Sequence, residues 1–318
     1  MTRLGKGVAL CLAALFIAGI TGCAQLGGLV SSSNEPVAET QWQSVATISQ
    51  YDILASIWDG QQYVAVTDAG EVLVSKDATK WTLRSVVLNG RVTGIAYSGT
   101  RYVLIGKQMY SSTALRRWEL NEQTLTDHLN AIIYEGGLFW AVGDGGKIIK
   151  SPDGLRWNEE LSSTKENLHS IAGPIPSLTA VGDNGVILMK QGPVWVDVLD
   201  GVASNINYYS VTYGDGRLVA VGAHGTTSTS ATGLNGWSTH VARTDAWLLA
   251  VTYLAGQGQF VAVGTDGTAL VSSDGETWSP QQVDVSTDLW SLLSANGSEV
   301  YALGQSGAVL TRTMASGS

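Results

Sequence analysis

An all-β fold of seven repeated, four-stranded units is predicted from three observations. Tryptophan stands at positions 42, 81, 118, 157, 195, 237 and 278, a spacing of about forty residues that marks a repeat architecture. One phrase recurs: FVAVGTDGTALVSSDGETW from Phe260 to Trp278 is echoed by FWAVGDGGKIIKSPDGLRW from Phe139 to Trp157. The apolar runs are rich in β-branched and aromatic residues, and Gly, Asp, Asn and Ser punctuate them too often for helices. Four short antiparallel strands per unit make one propeller blade, so the predicted fold class is a seven-bladed β-propeller.

In chain order, MTRLGKG carries Arg3 and Lys6 and is followed by the apolar run VALCLAALFIAGI. That run is too short to span a bilayer as a helix, so residues 1–22 read as a signal peptide. It ends in ITGC, small residues before a cysteine that resemble the lipobox of bacterial lipoproteins. The resemblance implies cleavage after Gly22, diacylation of Cys23 and, with Ala24 next, an outer-membrane destination in a two-membrane bacterium. The alternative is an ordinary signal peptide with an incidental cysteine. Residues 23–40 are then the lipidated cysteine and a small, polar, flexible tether, and residues 41–318 are the propeller.

Within the fifth unit, strands are expected at Tyr208 to Tyr213, Arg217 to Val221 and Thr226 to Ser230, with a fourth opening near Trp237. The seventh unit, Asp288 to Met314, stops short of an outer strand with its own tryptophan. Trp42, in TQWQSVATIS, precedes the first complete unit and supplies that strand, which closes the ring and removes the unpaired edges an open array exposes. The count is therefore seven, with six and eight as alternatives.

The turns SSDGETW (Ser272 to Trp278) and SPDGLRW (Ser151 to Trp157), with a degraded form SKDATKW (Ser75 to Trp81), resemble the Asp-box of BNR-type propellers. An aspartate there accepts turn amides, glycine takes a positive dihedral and tryptophan buries its ring between blades, so these residues read as structural. With the partner phrase VAVGxxG at Val219 to Gly225 and Val261 to Gly267, residues 42 to 314 resemble the Ycf48-like group of WD40/YVTN/BNR propellers. Two units depart: Met109 to Trp118 has lost its glycine turn, and GPVW at 192 to 195 has lost the Asp-box. The resemblance implies an assembly-factor role for membrane complexes.

Charge excludes some partners. The chain has 18 basic and 27 acidic residues, net −9; without Arg3 and Lys6 the balance is 16 against 27, net −11, which argues against nucleic acid. Of the two cysteines, Cys11 leaves with the signal peptide and Cys23 is consumed by lipid, so no thiol remains for a disulfide or a nucleophile. No cofactor fingerprint is present. His128, His169, His224 and His240 fall in different units without metal-ligand spacing, so no metal site is assigned.

Aligning the first strands of the units puts Ala55, Gly94, Ala131, Ser170, Ser210, Ala250 and Ser291 in register. Three residues earlier stand Asp52, Arg91, His128, Asn167, Asn207, Trp247 and Asp288. The residues just before the register position are Leu54, Thr93, Asn130, His169, Tyr209, Leu249 and Trp290, and the position between the two sets is apolar or aromatic throughout. This period-two pattern gathers polar and aromatic side chains at the mouth of the ring. The candidate partner-binding residues are Asp52, Arg91, His128, Asn167, Asn207, Tyr209, Trp247, Asp288 and Trp290. Trp247 and Trp290 lie outside the tryptophan series on neighbouring blades and suit a protein epitope or a sugar platform.

The reading is a non-enzymatic, lipid-anchored, extracytoplasmic scaffold that binds an envelope or membrane protein complex. The competing reading is a glycan-binding propeller or a BNR-type glycoside hydrolase using Asp52 and Asp288, neighbours across the closure, as paired carboxylates. Against that reading, the ring offers a single arginine, Arg91, where sialidases use three, and no RIP segment occurs.

Overall fold

The computed structural model describes residues 40–87, 91–123, 127–199, 205–314. The expected signal peptide, the expected lipidation at Cys23 and the expected tether as far as residue 39 lie outside the described residues. Among the described residues, no helix is long and apolar enough to cross a membrane.

Seven sheets follow one another, and in the first six the strands run from inner to outer in chain order and pair antiparallel. The inner strands are Ile53–Trp58, Val92–Tyr97, Leu129–Glu135, Leu168–Ala172, Tyr208–Gly214, Leu248–Leu254 and Leu289–Leu293. Blades one to six carry four strands apiece, and neighbouring inner strands pack around the ring. Blade seven closes as expected: Thr40–Thr47 pairs antiparallel with Ala308–Met314. A feature the repeat did not predict is a fifth strand, Gln282–Val283, which pairs in parallel with Gln41 and Trp42 and clamps the closing strand from the blade-six side.

The spaced tryptophans pack between blades. Trp42 and Trp195 are essentially fully buried, and Trp157 and Trp278 nearly so. The Asp-box turns act as local ties. Asp77, Asp153 and Asp274 each accept the amides two and three residues on, at 2.8–3.0 Å. Backbone amides at Lys80 and Thr79 hold the Asp77 carboxyl well below the usual range, and those at Arg156 and Leu155 lower that of Asp153. At Asp274, burial opposes the same effect and the amides of Thr277 and Glu276 outweigh it. In blade two, which lacks the turn glycine, Leu115 itself adopts the left-handed conformation with φ 58°.

These depressed carboxylates set a pH dependence. A folded pKa below the unfolded one contributes stability that is complete above about pH 5 and is lost as pH falls below about 4. The urea midpoint is therefore expected to drop between pH 5 and pH 2.5. The decline should be shallower in an Asp77→Asn, Asp153→Asn, Asp274→Asn variant, and an unchanged slope would remove these turns as the cause.

Glycine ends the second strand in blades two to seven because the preceding connection presses on it. A Cβ at Gly143, Gly182, Gly222 or Gly264 would collide with the carbonyl of His128, Asn167, Asn207 or Trp247. The same carbonyls accept the amide of the next residue, as in Asp144 N–H to His128 O at 2.9 Å. In every blade but the second, the residue before the inner strand is thus locked onto its own blade's second turn.

Candidate functional site

Each inner strand begins with the same irregularity. The pairing slips by one residue between Ile53 and Ala55, Val92 and Gly94, Leu129 and Ala131, Leu168 and Ser170, Tyr208 and Ser210, Leu248 and Ala250, and Leu289 and Ser291. The skipped residues are Leu54, Thr93, Asn130, His169, Tyr209, Leu249 and Trp290, all half-buried. A bulge re-aims its side chain away from the regular ladder, here at the mouth end of every blade. The residues between, such as Ile53, Leu129, Leu168 and Leu248, are fully buried. The register read from the sequence therefore holds, although the extra residue per strand was not foreseen.

Four of the candidate residues tie one blade to the next. Asn167, Asn207, Asp288 and Asp52 each accept, at 3.0–3.1 Å, the amide of the left-handed residue in the preceding blade's second turn: Gly145, Asn184, Asp266 and Ser306. The geometry repeats because a short side chain with a carbonyl or carboxylate oxygen reaches an amide that the positive dihedral turns outward. Asp52 and Asp288, the pair considered for hydrolysis, are both engaged in this way.

Trp247 occupies the equivalent place in blade six and cannot accept the bond. Its ring packs edge-on against His224, the left-handed residue of blade five, at 6.5 Å between centroids. It also stacks on Tyr209 at 5.7 Å and 28°, and Tyr209 continues to His169 at 5.7 Å. His169 Nε2 lies 2.7 Å from Asp183 Oδ1, whose other oxygen accepts from Asn167 at 3.0 Å. Burial, supported by the charge of Asp183 against the Asn207 amide, raises the Tyr209 hydroxyl pKa, so it stays neutral. The result is an aromatic ledge across blades four to six, ending in a Trp247 that is 46% exposed.

An open cavity of about 580 Å³ adjoins that end, with Trp247 on one wall and Asp245, Asp266 and Asp288 on the others. Arg243, in the same connection, does not line it. Elsewhere on the mouth, His128 Nδ1 sits 3.3 Å from Asn130 Oδ1, and Asn130 donates to Asp144 Oδ1 at 2.9 Å. Arg91 is exposed and Trp290 half-buried. Trp290 makes no ring contact with Trp247 among the described residues; the partner of Trp247 is Tyr209. His224 and Asp245 were not among the sequence candidates. His224 was legible in principle, since it fills a left-handed turn position where the other units place Gly, Asn, Asp or Ser.

These features define a closed seven-bladed propeller with an aromatic ledge at its mouth. Among solved structures it is similar to YCF48 bound to D1 peptide, with TM-score 0.70, 17% identity, and 86% of this chain and 94% of that one covered. It is similar also to YCF48 from Cyanidioschyzon merolae, with TM-score 0.68, 15% identity, and 85% and 98% covered. The WD40 β-propeller domain of Doa1 matches with TM-score 0.71, 10% identity, and 86% and 97% covered. At these identities the likeness defines the fold. No protein-family model and no curated protein matches the chain.

Proposed function

We propose that this protein is a non-enzymatic scaffold, held at the outer membrane by lipid on Cys23, that captures a segment of an envelope or membrane protein on the Tyr209–Trp247 ledge. The observation that carries this reading is Trp247: where four other blades place an interblade tie, blade six exposes a large ring stacked on a second aromatic. A rigid aromatic pair beside a cavity is the usual anchor of a binding surface. The carboxylates of Asp245, Asp266 and Asp288 around it favour a partner segment bearing lysine or arginine. A structural neighbour described as bound to a D1 peptide supports a peptide as the ligand class.

The test uses Trp247→Asn, which places at position 247 the side chain that Asn167 and Asn207 use to tie their blades. It is expected to match wild-type stability within about 1 kcal/mol. Crosslinking capture from the native membranes should recover a specific envelope protein with wild type and lose it, by at least about thirtyfold in affinity, with Trp247→Asn or Tyr209→Ala. Equal capture by all three would overturn the reading. Recovery of glycan alone would move the same ledge to the sugar-binding class.

A further inference from the structure

On the opposite end of blade two from the mouth, we propose a second site, which binds a carboxylate from a partner polypeptide, either an acidic side chain or a chain terminus. The site is independent of the mouth ledge.

In Ser75–Trp81, Ser151–Trp157 and Ser272–Trp278, an aspartate stands four residues before the tryptophan, and its Oδ1 accepts two successive turn amides. In blade two the same turn is Ser112–Trp118. Its register is set by Leu115, which takes the left-handed φ of 58° that Ala78, Gly154 and Gly275 take in the others. The residue in the aspartate position is therefore Ala114. The amides of Arg116 and Arg117, which correspond to Thr79 and Lys80, have no hydrogen-bond acceptor among the described residues. The turn keeps its shape and its donors but lacks the anion that the other three contain.

Basic side chains surround the place the carboxylate would occupy. Arg101, Arg116 and Arg117 line a cavity of about 280 Å³ together with the hydroxyl residues Ser111, Ser112 and Thr113. Glu119 also lines it, but none of the three guanidinium groups forms an ion pair with a carboxylate among the described residues. Three of the chain's 18 basic residues thus line this one cavity.

Arg101 is positioned differently from its counterpart. Arg217, at the same place in blade five, reaches out to donate to Asp274 O of the next blade at 2.7 Å. Arg101 instead turns back, and its Nη1 donates to Ser111 Oγ at 3.2 Å. Two free amides, planar guanidinium donors and hydroxyls match a carboxylate's two oxygens, and the internal precedent for the occupant is a carboxylate on a short chain.

The probe is N-acetyl-Gly-Gly-Asp-amide, compared with its Asn counterpart and with inorganic phosphate, titrated into the full chain while NMR follows the Arg116 and Arg117 amides. The Asp peptide is expected to bind in the millimolar range and to move both amide protons downfield; the Asn peptide should bind at least about tenfold more weakly. Ala114→Asp supplies the carboxylate from within. It should abolish these shifts while raising Tm by about 2 °C. Arg116→Gln with Arg117→Gln should lose binding without that rise. Equal binding of the Asp peptide to Ala114→Asp and wild type would overturn the proposal, as would tighter binding of phosphate than of the Asp peptide, or no shift in wild type at 50-fold excess over a millimolar constant. Trp247→Asn should leave the titration unchanged, so failure here is separable from failure of the mouth reading.

Discussion

Trp42→Ala is expected to cost about 4 kcal/mol of stability, the range for removing a fully buried tryptophan, and to weaken the ring at its seam. The indole is completely buried among Leu254, Val261, Leu289, Val300 and Leu310, which belong to blades six and seven. Its backbone also holds the seam: the strand pairs with Ala308–Met314 on one side and with Gln282–Val283 on the other, and Asp284 N–H donates to Trp42 O at 3.3 Å. Loss of the ring therefore leaves a cavity and loosens the strand that covers an otherwise open sheet edge. Urea unfolding checks the magnitude. Aggregation is expected to increase in the variant, while Leu83→Ala, on an exposed outer strand, should change stability by less than about 0.5 kcal/mol. A Trp42 cost below about 1 kcal/mol would mean that the closing strand does not contribute to the folded ring as its burial implies.

The second large effect is expected between blades three and four. Glu160 bridges Lys150 Nζ at 2.5 Å and Lys190 Nζ at 2.6 Å, and its side chain is only 9% exposed. Lys190 also lies 5.0 Å from the Trp140 ring and 5.6 Å from Trp195. Burial raises the Glu160 carboxyl pKa, but the two lysines outweigh it and leave the value below normal. Its contribution is thus present at neutral pH and is lost as acid protonates the folded state. Glu160→Gln would leave two ammonium groups facing each other without a counter-charge, at a cost of about 3 kcal/mol. Adding Lys190→Met to that variant removes one of the like charges and should recover more than half of the loss. If the double variant is no more stable than the single one, repulsion between the lysines is not the cause.

Much of the mouth's skeleton was legible because a propeller repeats its chemistry at fixed intervals. Aligning Ala55, Gly94, Ala131, Ser170, Ser210, Ala250 and Ser291 places the polar residues that precede each strand correctly, since the buried position between is apolar in every copy. Their roles were not legible. Asn167 and Asp288 look like exposed polar candidates in the sequence, yet each accepts an amide from a blade about 22 residues earlier in the chain. That bond depends on the rotation between neighbouring blades, which no single repeat encodes. The stacking of Trp247 on Tyr209 has the same origin: bulges set the direction of the ring positions, and the extra residue in each strand appears only when the strand is paired with its neighbour.

The sequence by itself determined the number of blades, the turns before the spaced tryptophans and the closure by Trp42. Each of these follows from local residue type and regular spacing, which act through short-range hydrogen bonding and burial. Only the tertiary structure decided which mouth residues tie blades and which stand free, that Lys150, Glu160 and Lys190 meet, and that Arg101 faces the turn where Ala114 replaces aspartate. Those outcomes depend on how adjacent blades pack, which brings together residues 22 positions apart in the chain and, across the closure, 254 apart.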